Sequence, residues 1–222
     1  MGGPSLIAFD VNETLLDLEP IKSNLETMFG TDPPVGEWFA RLLHGSLVAN
    51  TLGQYRSFGD IAAEALINIA ARRGLLLRAE DALEALTPMS RLPPHPDVLP
   101  GVRRLAEAGK RMVALTNGSR ETADAQIHNA GLADYLERVI SVDEVGVFKP
   151  DPAPYRHTAE VTGIGIEELV LVAAHDWDCA GAISAGAQAV FVKRPGAVWG
   201  LPTPPPSRQV ATIDQLATAM GA

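Results

Sequence analysis

Ser5-Leu6-Ile7-Ala8-Phe9-Asp10-Val11-Asn12-Glu13-Thr14-Leu15-Leu16-Asp17 begins with a short apolar run that ends on an aspartate. A continuous apolar run of this kind reads as a strand buried on both faces. Asp10 then stands at the carboxyl end of a buried strand, where open α/β sheets hold their chemistry. Two residues on is Asn12, a side chain that neither ionises nor passes a proton at neutral pH. If Asp10 attacks a substrate, no acid stands beside it, and the sequence asks for a leaving group that departs without a proton.

Outward from this stretch, strand-like runs at 5–10, 111–116, 137–142, 169–174 and 189–193 alternate with helical stretches, the pattern of a doubly wound parallel sheet. Residues 101–109 and 121–130 read as helices closed by Gly109 and Gly131. Between the first two strands lie too many residues for one crossover helix, and 36–49, 53–73 and 79–86 carry helical patterns. The expectation is a helical insertion over 15–95, set on a core made of 1–14 and 96–222. Leu92-Pro93-Pro94-His95-Pro96-Asp97-Val98-Leu99-Pro100 marks the return to the core, because four prolines in nine residues do not continue a helix. Residues 203–208 read as a surface connection and 210–220 as a last strand and helix.

The chain of 222 residues is long enough for one domain with such an insertion. Its 46% hydrophobic and 20% charged residues describe a globular protein with a sizeable interior. A net charge of -9 argues against a nucleic-acid partner, which wants a basic face, and disfavours an anionic membrane surface. No apolar run approaches the roughly 18 residues that span a bilayer. The amino terminus has no basic region followed by a long apolar stretch, so the cytoplasm is the expected location. The single cysteine, Cys179, excludes an intramolecular disulfide and reads as a small packing residue.

Asp10 to Asp17 resembles the first motif of the haloacid dehalogenase superfamily. Val113-Ala-Leu-Thr116-Asn117-Gly118-Ser119, Phe148-Lys149-Pro150-Asp151-Pro152 and Val172-Ala-Ala174-His175-Asp176-Trp177-Asp178 are similar to its second, third and fourth, and residues 186–194 to the strand that follows. Five segments in order cover nearly the whole chain. The resemblance implies a Rossmann-like core with a helical cap that closes over the carboxylate, and it allows a homodimer through the cap, which composition does not require. Within the superfamily the details resemble the L-2-haloacid dehalogenases. In the phosphatases an aspartate two after the nucleophile protonates the leaving oxygen and an acidic pair in the fourth motif holds magnesium; here Asn12 and Ala174 stand at those places. Magnesium prefers hard oxygen ligands, so a lost carboxylate weakens its site. Halide leaves as an anion, and a carboxylate-bearing substrate requires no metal clamp, so no metal and no other cofactor is expected.

The resemblance implies that Asp10 displaces halide at C2 with inversion, and that water then hydrolyses the aspartyl ester. A carboxylate of ordinary pKa near 3.9 is already ionised at neutral pH and needs positioning more than activation. Lys149 would hold Asp10 ionised, Tyr155 would support that lysine and border the substrate site, and Asp178 would orient the lysine and the water. Thr14 either braces Asp10 or caps the turn. Arg41, a cation in a largely apolar segment, and Asn117 would draw off the halide. Thr116, with backbone amides after Asp10 at Val11 and Asn12, would hold the substrate carboxylate. Phe58, Phe39 and Trp177 would line the pocket. His175, where the relatives carry asparagine, would serve the hydrolytic water as a base or narrow the halide pocket as a spacer.

Two rival readings stand beside this one. One is a magnesium-dependent phosphatase of small molecules with a metal site rebuilt from Asp10, Asp176 and Asp178; the other is a binding protein without catalysis on the same scaffold.

Overall fold

The computed structural model describes residues 5–222, so the first four residues of the expected core lie outside the described residues. Its centre is a six-stranded sheet in the order β3-β2-β1-β4-β5-β6, with every neighbouring pair parallel. The strands are β1 (Leu6–Phe9), β2 (Arg111–Thr116), β3 (Val139–Ser141), β4 (Leu169–Ala173), β5 (Gln188–Val192) and β6 (Arg208–Val210). β1 is central and buried at every position. Ile7 and Phe9 join one apolar layer while Leu6 and Ala8 join the other, as the alternation of a strand requires. Cys179 packs in the second layer, where burial pushes its thiol up out of the reactive range.

β2 lies on one side of β1 and β4 on the other, so the strand order reverses at β1. The register sets Phe9 level with Ala114 and Val172, and the Asp10 amide donates to the Val172 carbonyl at 3.0 Å. The loops after β1, β2 and β4 therefore open together at one edge, the crevice that such sheets use for ligands.

α1 (Glu19–Phe29), α2 (Val35–Leu52), α3 (Phe58–Arg72) and α4 (Ala79–Ala85) come between β1 and β2. α5 (Val98–Glu107), α6 (Arg120–Asn129), α7 (Pro152–Thr162), α8 (Asp176–Ala185) and α9 (Ile213–Ala219) follow in the rest of the chain. Three differences from the sequence reading have a local cause. α1 was not anticipated; it starts with Pro20 in its first turn, where the missing amide costs nothing. The helix expected from residue 53 starts at Phe58. Gly53, at φ +63°, closes α2 in the left-handed region, and the Ser57 hydroxyl caps α3 by accepting the Asp60 amide at 3.0 Å. α5 begins at Val98 rather than at residue 101, because Pro100 falls in its first turn and is tolerated there.

The α2 helix is tied to the loop before Lys149 by a two-way clamp. Asn50 Nδ2 donates to the Phe148 carbonyl at 2.8 Å and its Oδ1 accepts the Phe148 amide at 2.9 Å. Tyr55 adds a hydroxyl bond to Asp143. No helix of the described residues is long and apolar enough to cross a membrane.

Candidate active site

Asp10 is 5% exposed at the end of β1, and both of its oxygens are held. Lys149 Nζ donates to Oδ1 at 2.8 Å; the Thr14 hydroxyl donates to Oδ2 at 2.7 Å. Thr14 in turn accepts the Ala174 amide at 2.8 Å, which ties the turn after β1 to the end of β4. The bracing of Asp10 and the pinning of the turn are thus one arrangement. Lys149 spends its remaining donors on Asp178 Oδ2 at 2.6 Å and the Leu115 carbonyl at 3.0 Å. Its ammonium fills the space between two buried carboxylates. Tyr155 donates to Asp178 Oδ1 at 2.5 Å, so it supports the lysine through Asp178.

His175 closes the other side. Its Nδ1 lies 3.0 Å from Asp10 Oδ2 and its Nε2 2.9 Å from Glu13 Oε2. Phe39 and Trp177 both stack on the ring, with centroids at 5.3 and 5.1 Å. Burial favours the neutral ring, but the hydrogen bonds and charges of Asp10 and Glu13 outweigh it and raise His175 to about 10. Burial also pushes the Asp10 carboxyl up; the Lys149 charge, then the His175 bond and charge, hold it well below the usual carboxylate range. Asp178 is raised by burial, drawn back by Lys149 and pushed up again by the Asp10 charge. Two buried carboxylates are thus met by one ammonium and one imidazolium, and Asp10 is anionic.

A cavity of about 10 Å³ lies over Asp10, lined by Asn12, Phe39, Leu43, Phe58, Thr116, Asn117, His175 and Trp177. That is close to the least that holds one water. A larger apolar cleft of about 340 Å³ adjoins it at Asn12 and Phe58. Gln126 Nε2 donates both to the Met89 carbonyl and to Asn12 Oδ1, at 2.7 and 3.0 Å. A carbonyl only accepts, so the Gln126 orientation is fixed, and Asn12 has its amide nitrogen left for the pocket. Asn117 is used differently: its Oδ1 accepts the Lys149 amide at 2.9 Å, which seats the lysine. The Thr116 hydroxyl accepts the Gly118 amide at 3.0 Å and keeps a donor.

Of the residues expected to bind substrate or halide, Arg41, Tyr155 and Val11 are not among those that line this cavity. Arg41 donates to Glu37 at 2.9 Å, one helical turn back, with its side chain 31% exposed; it faces away from the lining. Tyr155 is fully buried in the apolar layer behind Asp178 and cannot touch a substrate. Val11 is buried, and its carbonyl accepts the amides of Leu15 and Leu16. Glu13, Leu43 and Gln126 were not foreseen. Glu13 had a signal, its place inside the first motif beside a carboxylate. Gln126 had none, since it lies on a mostly polar helix.

A rebuilt magnesium site does not fit these residues. Asp176, its third carboxylate, accepts the Trp177 amide at 2.7 Å and the Gly200 amide at 2.9 Å. The other two carboxylates are occupied by the Lys149 ammonium. Among the described residues no group of three His, Cys, Asp or Glu is arranged to hold a metal ion.

A family model described as haloacid dehalogenase-like hydrolase matches residues 4–186. Haloacetate dehalogenase H-2 of Moraxella sp. (strain B) is 32% identical over 193 residues, 86% of each chain. (S)-2-haloacid dehalogenase H-109 of Pseudomonas putida is 28% identical over 215 residues, 95% of each. Among solved structures, L-2-haloacid dehalogenase from Xanthobacter autotrophicus with chloropropionic acid covalently bound superposes with a TM-score of 0.91 at 24% identity, covering 99% of both chains, a likeness of fold.

Proposed function

The chain belongs to the haloacid dehalogenase-like hydrolase family, and from that premise we propose that it hydrolyses short (S)-2-haloacids to (R)-2-hydroxyacids and halide without a metal, through an ester on Asp10. The observation that carries the reading is the state of the first motif. Asp10 is held anionic by Lys149 and His175, while the side chain two residues on is an amide whose N–H end is left for the pocket. Such a pair attacks carbon and receives a departing anion, and offers no proton to a leaving oxygen. Its relatives named haloacetate and (S)-2-haloacid dehalogenases support the substrate class.

In this reading 15–95 is the cap and 1–14 with 96–222 the catalytic core. The substrate carboxylate is held by Thr116 and the amides of Val11 and Asn12, which aligns C2 with Asp10; good alignment is worth an effective molarity of about 10⁵ M or more. Phe39, Leu43, Phe58 and Trp177 exclude water during the displacement. The cavity of about 10 Å³ means that the cap side chains Phe39 and Phe58 give way as substrate enters, which keeps the substrate short. Water then attacks the Asp10 carbonyl carbon and releases the hydroxyacid.

The test is halide release from a panel of 2-haloacids with EDTA and with magnesium, followed by a single turnover in ¹⁸O-water. Release in EDTA, its loss in Asp10→Asn, and label in Asp10 are expected; a strict magnesium requirement overturns the proposal.

A further inference from the structure

Arg194 is a buried cation, 8% exposed and two residues past β5, that the chemistry described so far does not use. Its Nε and Nη2 both donate to the Thr14 carbonyl, at 3.0 and 2.8 Å, while Nη1 donates to Asp97 Oδ1 at 2.6 Å. The other Asp97 oxygen accepts the Ile213 amide at 2.6 Å. The planar fork thus fills both lone pairs of one carbonyl and still reaches a carboxylate, which the single ammonium of a lysine does not match. That carbonyl belongs to the residue that braces the nucleophile. Thr14 Oγ1 donates to Asp10 Oδ2 at 2.7 Å and accepts the Ala174 amide at 2.8 Å.

The backbone just before Thr14 is strained. Glu13 has φ +59°, in the left-handed region that residues with a Cβ avoid. Such a conformation persists only where its surroundings over-determine it. Here two consecutive carbonyls are tethered, that of Glu13 by His95 Nε2 at 3.2 Å and that of Thr14 by Arg194. A carbonyl only accepts, so His95 Nε2 carries the hydrogen. The tethers lead to the strand pair through which the helical insertion joins the core. In that pair the Asp17 amide donates to the Pro93 carbonyl and the His95 amide to the Leu15 carbonyl, both at 2.9 Å, with Leu16 antiparallel to Pro94. His95 and Asp97 both belong to the returning segment, which runs on into α5.

We propose that Arg194 is a positioning residue for Asp10 and acts through Thr14: by holding the Thr14 carbonyl to the start of α5, it sets the hydroxyl that aligns the nucleophile. The inference rests on the haloacid reading above, in which Asp10 attacks C2. Arg194 itself touches no substrate. It borders a polar cleft of about 490 Å³, shared with Asp17 and His95, and is not part of the lining over Asp10. Its effect is therefore on geometry. Without the fork the Glu13 backbone relaxes toward an ordinary conformation and carries Thr14 with it. Asp10 Oδ2 then loses the shorter of its two bonds, since His175 stands at 3.0 Å and Thr14 at 2.7 Å. A misplacement of about 1 Å in a reacting group costs about 10²-fold in rate.

Removing Arg194 alone leaves Asp97 as a buried unpaired charge, so Asp97→Asn is the reference in each arm and its arginine keeps both bonds to Thr14. To it are added Arg194→Met, Thr14→Val, and the two together, and the halide burst from 2-chloropropionate is followed. Arg194→Met should slow the burst by about 10- to 10²-fold, with the half-saturating concentration within about threefold. Where Thr14 is already valine, the same change should slow it by less than about threefold, because the hydroxyl it works through is gone. An equal loss in both backgrounds, or no loss in either, overturns the proposal. Arg194→Lys in the otherwise native chain keeps the charge for Asp97 and loses the fork; should the methionine variants fail to fold, its loss must show the same dependence on Thr14. The Ala174 amide, whose hydrogen bond ends on Thr14, gives a reading without turnover. Its ¹H–¹⁵N signal should shift and its exchange quicken when Arg194 is removed, and an unmoved signal overturns the proposal. Absence of halide release by wild type from every haloacid overturns the haloacid reading, and the Ala174 amide then still decides the role of Arg194.

Discussion

Replacing Lys149 with methionine tests the charge arrangement directly. The side chain keeps its length, loses its cation, and leaves Asp10 and Asp178 facing each other from positions at most 5% exposed. The ammonium had stood 2.8 and 2.6 Å from them. Removing one member of a buried ion pair costs about 3–5 kcal/mol, and the Leu115 carbonyl also loses its donor. In a domain of this size about 2–4 °C of midpoint accompanies each kcal/mol, so the variant should melt about 10 °C lower at pH 8. A proton relieves the clash, and Asp178 takes it, since burial already pushes that carboxyl up. A carboxyl raised above its unfolded value gains stability as pH falls, so the deficit should shrink at pH 5. The second change Asp178→Asn removes the repelling charge and should make the double variant more stable than Lys149→Met alone. Urea unfolding followed by tryptophan fluorescence at the two pH values reads all three. A loss below about 1 kcal/mol in Lys149→Met, or a double variant that loses the sum of the singles, would refute the reasoning.

Three further outcomes follow from the same geometry. In Gly181→Ala the new Cβ would lie 2.5 Å from Pro150 Cβ and 2.7 Å from both the Pro150 carbonyl and the Tyr155 hydroxyl. Overpacking of this kind costs about 1–3 kcal/mol, and because Pro150 adjoins Lys149, turnover should fall with the melting temperature; unchanged kinetics would show that α8 need not approach so closely. His175 is raised from 6.5 to about 10 on folding, so its contribution is complete below about pH 6.5 and is lost as pH rises through about 10. Unfolding free energy should therefore drop between pH 6.5 and 10 in wild type and stay flatter in His175→Asn, with parallel curves counting against a charged ring. Arg41→Ala removes only an exposed pair with Glu37, worth about 0–1 kcal/mol, and kcat/KM for 2-chloropropionate should remain within about threefold; a hundredfold loss would show that Arg41 turns inward with substrate bound.

The core was legible because parallel strands buried on both faces are written as continuous apolar runs, and each of the five strand-like runs predicted a strand that the sheet contains. β3 is shorter than its run, since Val142 already turns into a single 3-10 turn capped by Ser141. The fine division of the insertion was less legible. Gly53 and Ser57 carry both stop and start signals four residues apart, yet the apolar periodicity continues across them and hides the break. Most distances around Asp10 join segments far apart in sequence, such as Lys149 and Asp178 with Asp10, so the motifs could name the groups and only the sheet could bring them together.

Arg41 shows where motif reading and helix geometry part. On α2 the buried stripe is Trp38, Leu42, Ser46 and Ala49, and Phe39 lies beside it. Two residues further on, a helix has turned by about 200°, which carries Arg41 to another face. Glu37 sits four residues before Arg41, the spacing of an exposed i,i+4 ion pair, so the sequence held a signal against an inward cation. What faces Asp10 from α2 is Phe39, and it stacks on His175. The two groups that meet Asp10 with a positive charge, Lys149 and His175, both lie outside α1–α4.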